Sequence, residues 1–408
     1  MRLLPFVFIL YIINYLDRTS VAYAALGMSR DLGFSDRVLG LGIGAFFVSY
    51  VALQVPGALL VERWSARRMI AATMIIWGLL TALTAAVHTP GQLYAARFAL
   101  GAAEAGFFPG VIVFLSHWFI PSDRAKATSN FMAAIPLSLV IGSPIAGWIL
   151  SHHWLDLEGW RWLFALEGLP AVLLGAVAFF LLTDRPRDAA WLAPEQRLWI
   201  QDTLQQEKAP RRSLSIFQDL RSRTVLLLAA TGFLEYFVGY TMIFWFPTVL
   251  KRQSGLSDFG VGAWGALPYV IAFIAMNIHG WHSDKKCERR WHCAVSLFFS
   301  AGASLALLAF PGSTPLTIAT FTVMAYGYTA FLPVFWAIPT EILSDTTAAA
   351  AVGMINAIAS IAGFAGPYAF GYLTSRTGSV GPGYLLMTLA AFFSGILVLQ
   401  TPRRAKAS

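Results

Sequence analysis

Charged residues are scarce in this sequence, and their scarcity excludes most soluble proteins. Only 12% of the 408 residues are Asp, Glu, Lys or Arg, whereas 57% are hydrophobic. Soluble domains carry about 25% charged residues, so half that share places the chain among integral membrane proteins. Cysteine is also nearly absent. Cys287 and Cys293 fall in one predicted cytoplasmic loop, where thiols stay reduced, so we expect no structural disulfide.

The usual motifs of enzymes and metal sites are missing as well. The stretch GLGIG at 40–44 lacks the glycine spacing of a dinucleotide site, and no nucleophile elbow or HExxH motif occurs. His282, Cys287, His292 and Cys293 have a spacing that matches no standard zinc site. We therefore expect no enzyme activity, no metal and no cofactor.

Apolar runs are abundant. Twelve stretches have the length of about 20 residues that is needed to cross the hydrocarbon core. They lie near 4–26, 38–61, 69–87, 92–118, 124–151, 161–182, 224–250, 258–281, 292–310, 315–339, 347–374 and 382–400. The first is too long for a signal peptide and lacks a clear cleavage site. The sequence therefore predicts an all-α membrane protein of twelve transmembrane helices, because only helices satisfy the backbone over such lengths.

The most polar interruption, residues 183–223, divides these stretches six and six. It predicts an N-terminal bundle at 1–182, a cytoplasmic linker at 183–223 and a C-terminal bundle at 224–408. A weak repeat supports two pseudo-symmetric halves. PGALLVERWSARR follows the second stretch and HGWHSDKKCERRWH follows the eighth, each with an acid before a basic cluster. Two six-helix halves around a midplane site are a known transporter plan.

The formal charge of +8 does not indicate a nucleic-acid partner. Most basic residues cluster in alternate loops, and only two lie deep in apolar stretches. This is the positive-inside distribution, which places both termini in the cytoplasm.

Several charged residues interrupt the apolar stretches, and four of them, Asp17, Arg18, Arg97 and Glu104, form the candidate cluster. Asp17 and Arg18 lie in the middle of FILYIINYLDRTSVAYAAL, where an ionisable group costs at least about 2.5–3.5 kcal/mol. Arg97 and Glu104 are seven residues apart and share one helix face. All four fall at similar depth. Protonation of an acid would leave positive charge for a carboxylate, which arginine grips with two donors. A purely structural ion pair is the alternative.

Several strings resemble the major facilitator superfamily and, within it, the anion:cation symporter family. They are NYLDRTSVAYA, FFVSYVALQVPGALLVERWSARR, ARFALGAAEAGFFPG, GWRWLFALEGLPAVLLG, GWHSDKKCERRWH, FWAIPTEIL and AAAAVGMINAIASIAGFAGPYAFGYL. The resemblance covers essentially the whole chain. It implies proton-coupled symport of a small organic anion, a hydroxy dicarboxylate or sugar acid, by alternating access. We expect a monomer in the bacterial inner membrane. An anion exchanger or exporter, or a transporter-like sensor, is the alternative.

The resemblance also implies roles for individual residues. Asp17 and Glu104 would carry protons, Arg18 would anchor the anion, and Arg97 would assist. The expected lining residues are Tyr15, Tyr50, Tyr236, Tyr240, Trp336, Asn356 and Ser360, although those of the second half also fit ordinary helix packing. The expected gating residues are Glu62, Arg63, Arg67, Asp284 and Arg289. Glu235 is predicted to be an accessory proton site, a selectivity determinant or a partner of a polar group.

Overall fold

The computed structural model describes residues 3–206, 221–310, 312–342 and 345–402. It describes only the backbone at 55, 58–59, 61–63, 121–122, 124–126, 129, 205–206, 340 and 345–350. The side chains of Glu62 and Arg63, two of the predicted gating residues, therefore lie outside the described part.

Twelve helical spans in the described part of the chain are long and apolar enough to cross a membrane, which confirms the predicted fold class. In chain order their helices are Leu3–Leu32, Asp36–Arg63, Ala66–Thr84, Pro90–Glu104 with Phe107–Trp118, Pro121–Met132 with Ala134–Leu150, Gly159–Leu181, Arg223–Ser254, Asp258–Lys286, Arg290–Ala309, Thr314–Ile342, Asp345–Thr377 and Gly381–Leu399. Between the sixth and seventh spans lie a 3₁₀ turn, Pro186–Asp188, and a helix, Pro194–Gln206.

The fourth and fifth spans are each broken in two, whereas the sequence analysis treated each as one continuous stretch. The fourth is interrupted at Ala105 and Gly106, and the fifth at Ala133. Proline explains both breaks, because it has no N–H to donate to the carbonyl four residues earlier. Pro109 leaves the Ala105 carbonyl without this donor, and Pro136 does the same to Met132, the last residue of its helix.

Serine residues begin four of the spans. The Ser35 and Ser257 hydroxyls accept from the backbone N–H of Val38 and Gly260 at the start of the second and eighth spans. Ser65 and Ser222 cap the third and seventh spans in the same way. A serine at this position satisfies one of the backbone donors that every helix start leaves open.

Spans one to six pack mainly with one another, as do spans seven to twelve. The sixth span ends and the seventh begins, at Leu181 and Arg223, on one side of the protein. We call this side the linker face and the opposite side the far face. The halves meet most closely between spans two and eleven and between spans five and eight. A Cβ atom on Gly40 would lie 2.8 Å from the Pro367 carbonyl oxygen, and one on Gly147 would lie 2.8 Å from the Gly262 Cα. These contacts lie toward the far face, so the two halves are closed together there.

Candidate functional site

The centre of the first half holds a buried ion pair between the first and fourth spans. Arg18 donates to the Glu104 Oε2 atom from Nη2 at 2.9 Å and from Nε at 3.3 Å. The Asn14 amide donates to the same oxygen at 2.9 Å. Arg18 is 5% exposed and Glu104 is wholly buried. Charge-assisted hydrogen bonds of this kind are about twice as strong as neutral ones, so these donors offset part of the cost of burying the Glu104 carboxylate.

Asp17 is held separately from Glu104, although it precedes Arg18 in the sequence. Its Oδ2 atom accepts a hydrogen bond from the Thr81 hydroxyl of the third span at 2.7 Å. Its Oδ1 atom is buried and has no hydrogen-bond partner. The two acids therefore share no donor, and each can change its protonation state without breaking the hydrogen bond of the other.

Arg97 lies near both acids but contacts neither of them directly. The side chain is wholly buried, and none of its three guanidinium nitrogens has a hydrogen-bond partner among the described residues. It interacts electrostatically with Glu104 and Asp17, and its guanidinium carbon lies 5.0 Å from the centroid of the Phe46 ring. The structure therefore brings all four charged residues into one region but pairs only Arg18 with Glu104. Arg97 carries the least compensated charge of the four.

Aromatic rings surround the Arg18 guanidinium. Its carbon lies 5.7 Å from the Tyr15 ring centroid, 5.3 Å from that of Phe46 and 4.8 Å from that of Tyr50. A guanidinium within about 6 Å of a ring is attracted by the negative ring face. Tyr15 and Tyr50, two of the predicted lining residues, thus lie beside Arg18.

The second half contributes an aromatic wall that faces this site. Tyr236 and Tyr240 of the seventh span are buried and meet edge to face, with their centroids 5.7 Å apart. Tyr240 also packs on Phe47 of the second span at 4.7 Å, and Tyr236 interacts with Trp336 of the tenth. Three of the predicted lining residues of the second half are thus grouped at the contact between the halves.

Two further predicted lining residues are not grouped with Arg18 by any described contact. The Ser360 hydroxyl donates to the Asn356 carbonyl at 2.8 Å, one turn earlier on the same helix. Ser360 is buried, whereas Asn356 is partly exposed. Glu235 is wholly buried, and neither of its carboxyl oxygens has a hydrogen-bond partner.

At the linker face, Arg289 binds two carboxylates, of which one belongs to a predicted gating residue. It forms ion pairs with Asp284 and with Glu341 of the tenth span, the latter at 2.9 Å. Partial burial lowers the pKa of Arg289, but these two carboxylates outweigh that effect and raise the pKa above its usual value. The predicted partners Asp284 and Arg289 do meet, whereas the participation of Glu341 did not follow from the sequence.

The corresponding loop of the first half is organised by an acid that lies far away in sequence. Asp184 accepts from the Arg67 backbone N–H at 2.8 Å and from the Ser65 hydroxyl at 2.7 Å. The Arg67 guanidinium lies 5.3 Å from the Phe179 ring centroid. Asp184 therefore fixes the start of the third span, a role that sequence reasoning did not assign.

Sequence reasoning also missed ion pairs that join the halves at the far face. Arg30 of the first span binds Asp258 of the eighth at 2.8 Å, and Lys251 binds the same carboxylate at 2.9 Å. Arg252 of the seventh span binds Asp36 of the second, with Nη1 and Oδ2 2.7 Å apart.

Little in the sequence points to the two residues that donate hydrogen bonds to the central acids, Asn14 and Thr81. Asn14 lies one helical turn before Arg18, so its position on the same face was visible. Thr81 lies among apolar residues of another span, and nothing in its spacing points to Asp17.

Comparison with known proteins agrees with this architecture. The family model of the Major Facilitator Superfamily matches residues 7–367. The chain is 42% identical over 405 residues to a protein of Agrobacterium vitis named "Putative tartrate transporter", with 98% of this chain and 90% of that protein covered. It is 34% identical to "Inner membrane transport protein RhmT" of Escherichia coli, with 97% and 92% covered.

Solved structures share the fold at low sequence identity. A bacterial homologue of the human lysosomal transporter Spinster, in an inward-facing and occupied conformation, superposes with a TM-score of 0.81 at 19% identity, with 100% of this chain and 98% of that chain covered. A D-xylose–proton symporter gives a TM-score of 0.75 at 15% identity, with 99% of each chain covered. The chain belongs to the major facilitator superfamily, its named relatives fit the anion:cation symporter branch, and it is a membrane transporter and not an enzyme.

Proposed function

We propose that this protein is a proton-coupled symporter that carries a small organic anion, a hydroxy dicarboxylate or a sugar acid, by alternating access. Its membrane would be the bacterial inner membrane, with the linker face in the cytoplasm. The similarity to a relative named for tartrate supports the substrate class. The positive-inside distribution of charge supports the orientation. We expect the monomer to be the transporting unit, because the central residues of both halves come from one chain.

The observation that carries this proposal is the buried pair of Arg18 and Glu104. In the ionised state Glu104 occupies the Arg18 guanidinium through one oxygen. A proton on Glu104 would remove the negative charge and weaken this pair, which frees Arg18 to bind a carboxylate of the substrate. Binding of the anion and binding of the proton would therefore favour each other.

The charge balance of the cluster supports the same coupling. Asp17, Arg18, Arg97 and Glu104 sum to zero when all four are ionised, provided that Glu167 of the sixth span, which interacts electrostatically with Asp17, is protonated. Each proton that binds adds one positive charge, which is costly in a buried site unless an anion neutralises it. We propose Asp17 as the second proton carrier of this half, because only the Thr81 hydroxyl holds its carboxylate. Arg97 would attract the anion into the site without donating to Glu104.

The aromatic residues around the cluster fit a hydroxylated acid. Tyr15 and Tyr50 lie beside Arg18, while Tyr236 and Tyr240 face it from the second half. Each tyrosine hydroxyl can donate and accept a hydrogen bond, as substrate hydroxyl groups require. Because these rings come from both halves, a bound anion would touch both halves before they rock.

Alternating access would begin from the closed far face. The Arg30–Asp258 and Arg252–Asp36 ion pairs join the halves on that side. We propose that these pairs, together with the close contacts at Gly40 and Gly147, form the outer gate of the transporter. The Asp284–Arg289–Glu341 contacts would help to organise the opposite gate.

Two measurements test the proposal. In a thermal-shift screen of the purified protein at pH 5.5 and 7.5, tartrate, glucuronate or a related acid should raise the melting temperature, and more so at the lower pH. In proteoliposomes the same anion should accumulate against its gradient only when an inward proton gradient is imposed. Accumulation without dependence on the proton gradient would indicate an exchanger, and binding without counterflow would indicate a sensor. No response to any organic anion would contradict the assignment.

A further inference from the structure

Glu235 is a buried acid that the proposed mechanism does not use. It lies on the seventh span and is wholly buried. Within the part of the chain that the structure describes, neither carboxyl oxygen has a hydrogen-bond partner, and no Lys, Arg or His forms an ion pair with it. Glu235 thus differs from Glu104, which has both a cation and an amide donor.

The groups near Glu235 are weak acids or uncharged. Tyr236 on its own span, Tyr328 of the tenth span and Cys293 of the ninth interact with it electrostatically. No described group of the eighth, eleventh or twelfth span, all of which pack against the seventh, interacts with it in this way. A carboxylate in such surroundings would have neither a donor nor a counter-ion. Because burial of an uncompensated charge is strongly unfavourable, Glu235 carries a proton in this conformation.

A line of tyrosines connects this acid to the central site. Tyr328 interacts with Glu235 on one side and with Tyr15 of the first span on the other. The ring of Tyr15 in turn lies beside the Arg18 guanidinium. Hydroxyl groups can both donate and accept, so this path crosses from one half to the other through groups that can pass a proton. A movement of the first half against the second changes the contact between Tyr15 and Tyr328 directly.

We propose that Glu235 is an additional proton carrier, located in the second half, which adds one proton to each transport cycle. It holds its proton while the carboxyl is dry, as it is with the far face closed, and releases the proton to water when rocking of the halves hydrates the site. Only one O–H bond forms and breaks, so no other reactant is needed. This inference rests on the proposed proton-coupled symport and concerns its stoichiometry.

The test is the concentration ratio that the protein can sustain. Proteoliposomes containing the full chain receive a pH difference of one unit with the membrane potential clamped at zero, and radiolabelled tartrate is the probe, with glucuronate as a second probe. Each coupled proton contributes a factor of about ten to the final ratio, because tenfold corresponds to about 1.4 kcal/mol. We expect Glu235→Gln to reach a ratio about tenfold lower than the unmodified protein. Counterflow, which needs no net proton movement, should persist.

Two further variants keep the result interpretable. Glu235→Leu removes the titratable group in a different way, and its ratio should also fall about tenfold. Thr248→Val is the matched control, because Thr248 is a buried residue of the same span whose hydroxyl has no hydrogen-bond partner and does not titrate. Its ratio should equal that of the unmodified protein.

The outcomes separate this inference from the proposed function. Unchanged ratios in both Glu235 variants would overturn the inference alone. Failure of both variants to fold would show that the carboxyl is structural, which would also overturn it. If the unmodified protein shows no proton-driven accumulation of either probe, the proposed function fails and the inference fails with it.

Discussion

Glu104 in the first half and Glu235 in the second are both buried in the membrane-spanning part of the chain, yet their surroundings are opposite. Glu104 receives donors from Arg18 and Asn14, whereas neither oxygen of Glu235 has a partner. Burial alone therefore does not determine how an acid behaves in this protein. In the first half, the buried acid has a buried cation as its partner. In the second half, an acid is retained among aromatic and apolar side chains, where only its neutral form is tolerated.

The largest effect is expected from Arg18→Ala, because this change would leave Glu104 without a cationic partner, as Glu235 is in the second half. The change leaves Glu104 buried without a cation, and breaking a buried pair costs about 3–5 kcal/mol. It also removes the donor proposed for the substrate carboxylate, so uptake should fall by about 10- to 150-fold, as loss of a charged hydrogen bond predicts. Chemical unfolding and uptake of the unmodified protein and the variant measure both effects.

A matched variant separates charge from geometry at this position. Arg18→Lys keeps the positive charge but loses the planar fork of donors. It should recover more of the stability than of the uptake. If Arg18→Ala were as stable as the unmodified protein at pH 7, the described ion pair would not contribute to stability.

The next effect is expected from Glu104→Gln, which keeps the shape of the side chain and removes its charge. The Gln carbonyl can still accept from Asn14, so the protein should fold. Arg18 then has no carboxylate partner at position 104 at any pH, and anion binding should lose the part of its pH dependence that comes from Glu104. Uphill uptake driven by a proton gradient should fall at least about tenfold, the contribution of one proton per pH unit, while counterflow persists. Intact uphill uptake in this variant would show that Glu104 is not an obligatory proton carrier.

The contrast between the halves also explains which parts of the site were visible in the sequence. Asp17, Arg18 and Glu104 stand out because each breaks a long apolar run at a cost that the bilayer makes large. Asn14 and Thr81 cost far less to bury, so their presence in apolar spans carries little information. Asp184 and Glu341 act on loops to which the sequence does not connect them, and only the folded chain brings these groups together.

The fold shows the same division. The twelve spans follow from the length and hydropathy of the apolar runs, and the sequence predicts them all. The strings GAAEAGFFPG and PLSLVIGSP, which contain Pro109 and Pro136, indicate broken or closely packed helices, but they do not locate the breaks at Gly106 and Ala133. Several other spans contain proline without a break, such as the seventh with Pro247. The tertiary packing around each proline therefore decides whether the helix is interrupted.

A smaller effect, of opposite sign, is expected in the second half. Glu235→Leu removes a buried polar group that has no partner, so it should stabilise the folded protein by about 1 kcal/mol. Removal of Glu235 would then stabilise the protein, whereas removal of one member of the Arg18–Glu104 pair destabilises it because the other charge stays buried. The midpoint of chemical unfolding, compared between this variant and the unmodified protein, measures the change. A destabilisation above about 1 kcal/mol would contradict the absence of partners.

The smallest effect concerns the two loops at the linker face, where each half fixes the start of its third span with an acid. Asp184 does so in the first half, and Glu288 does so in the second by accepting from the backbone N–H groups of Trp291 and His292. Partial burial would raise the pKa of Glu288, but these donors and the His292 side chain lower it below its ordinary value of 4.5. Glu288 therefore contributes stability above pH 4.5, and this contribution is lost as the pH falls through its lower folded-state pKa.

The pH profile of thermal unfolding tests this contribution. Glu288→Gln should lower the melting temperature slightly at pH 7. Its curve should meet that of the unmodified protein at acid pH, where Glu288 of the unmodified protein is protonated in both the folded and the unfolded state. Asp202→Asn is a suitable control, because Asp202 is an exposed acid of the Pro194–Gln206 helix. A constant difference across the pH range would show that the side chain acts through packing. Convergence would show that the carboxylate charge stabilises the helix start, as expected for an acid near the positive end of a helix dipole.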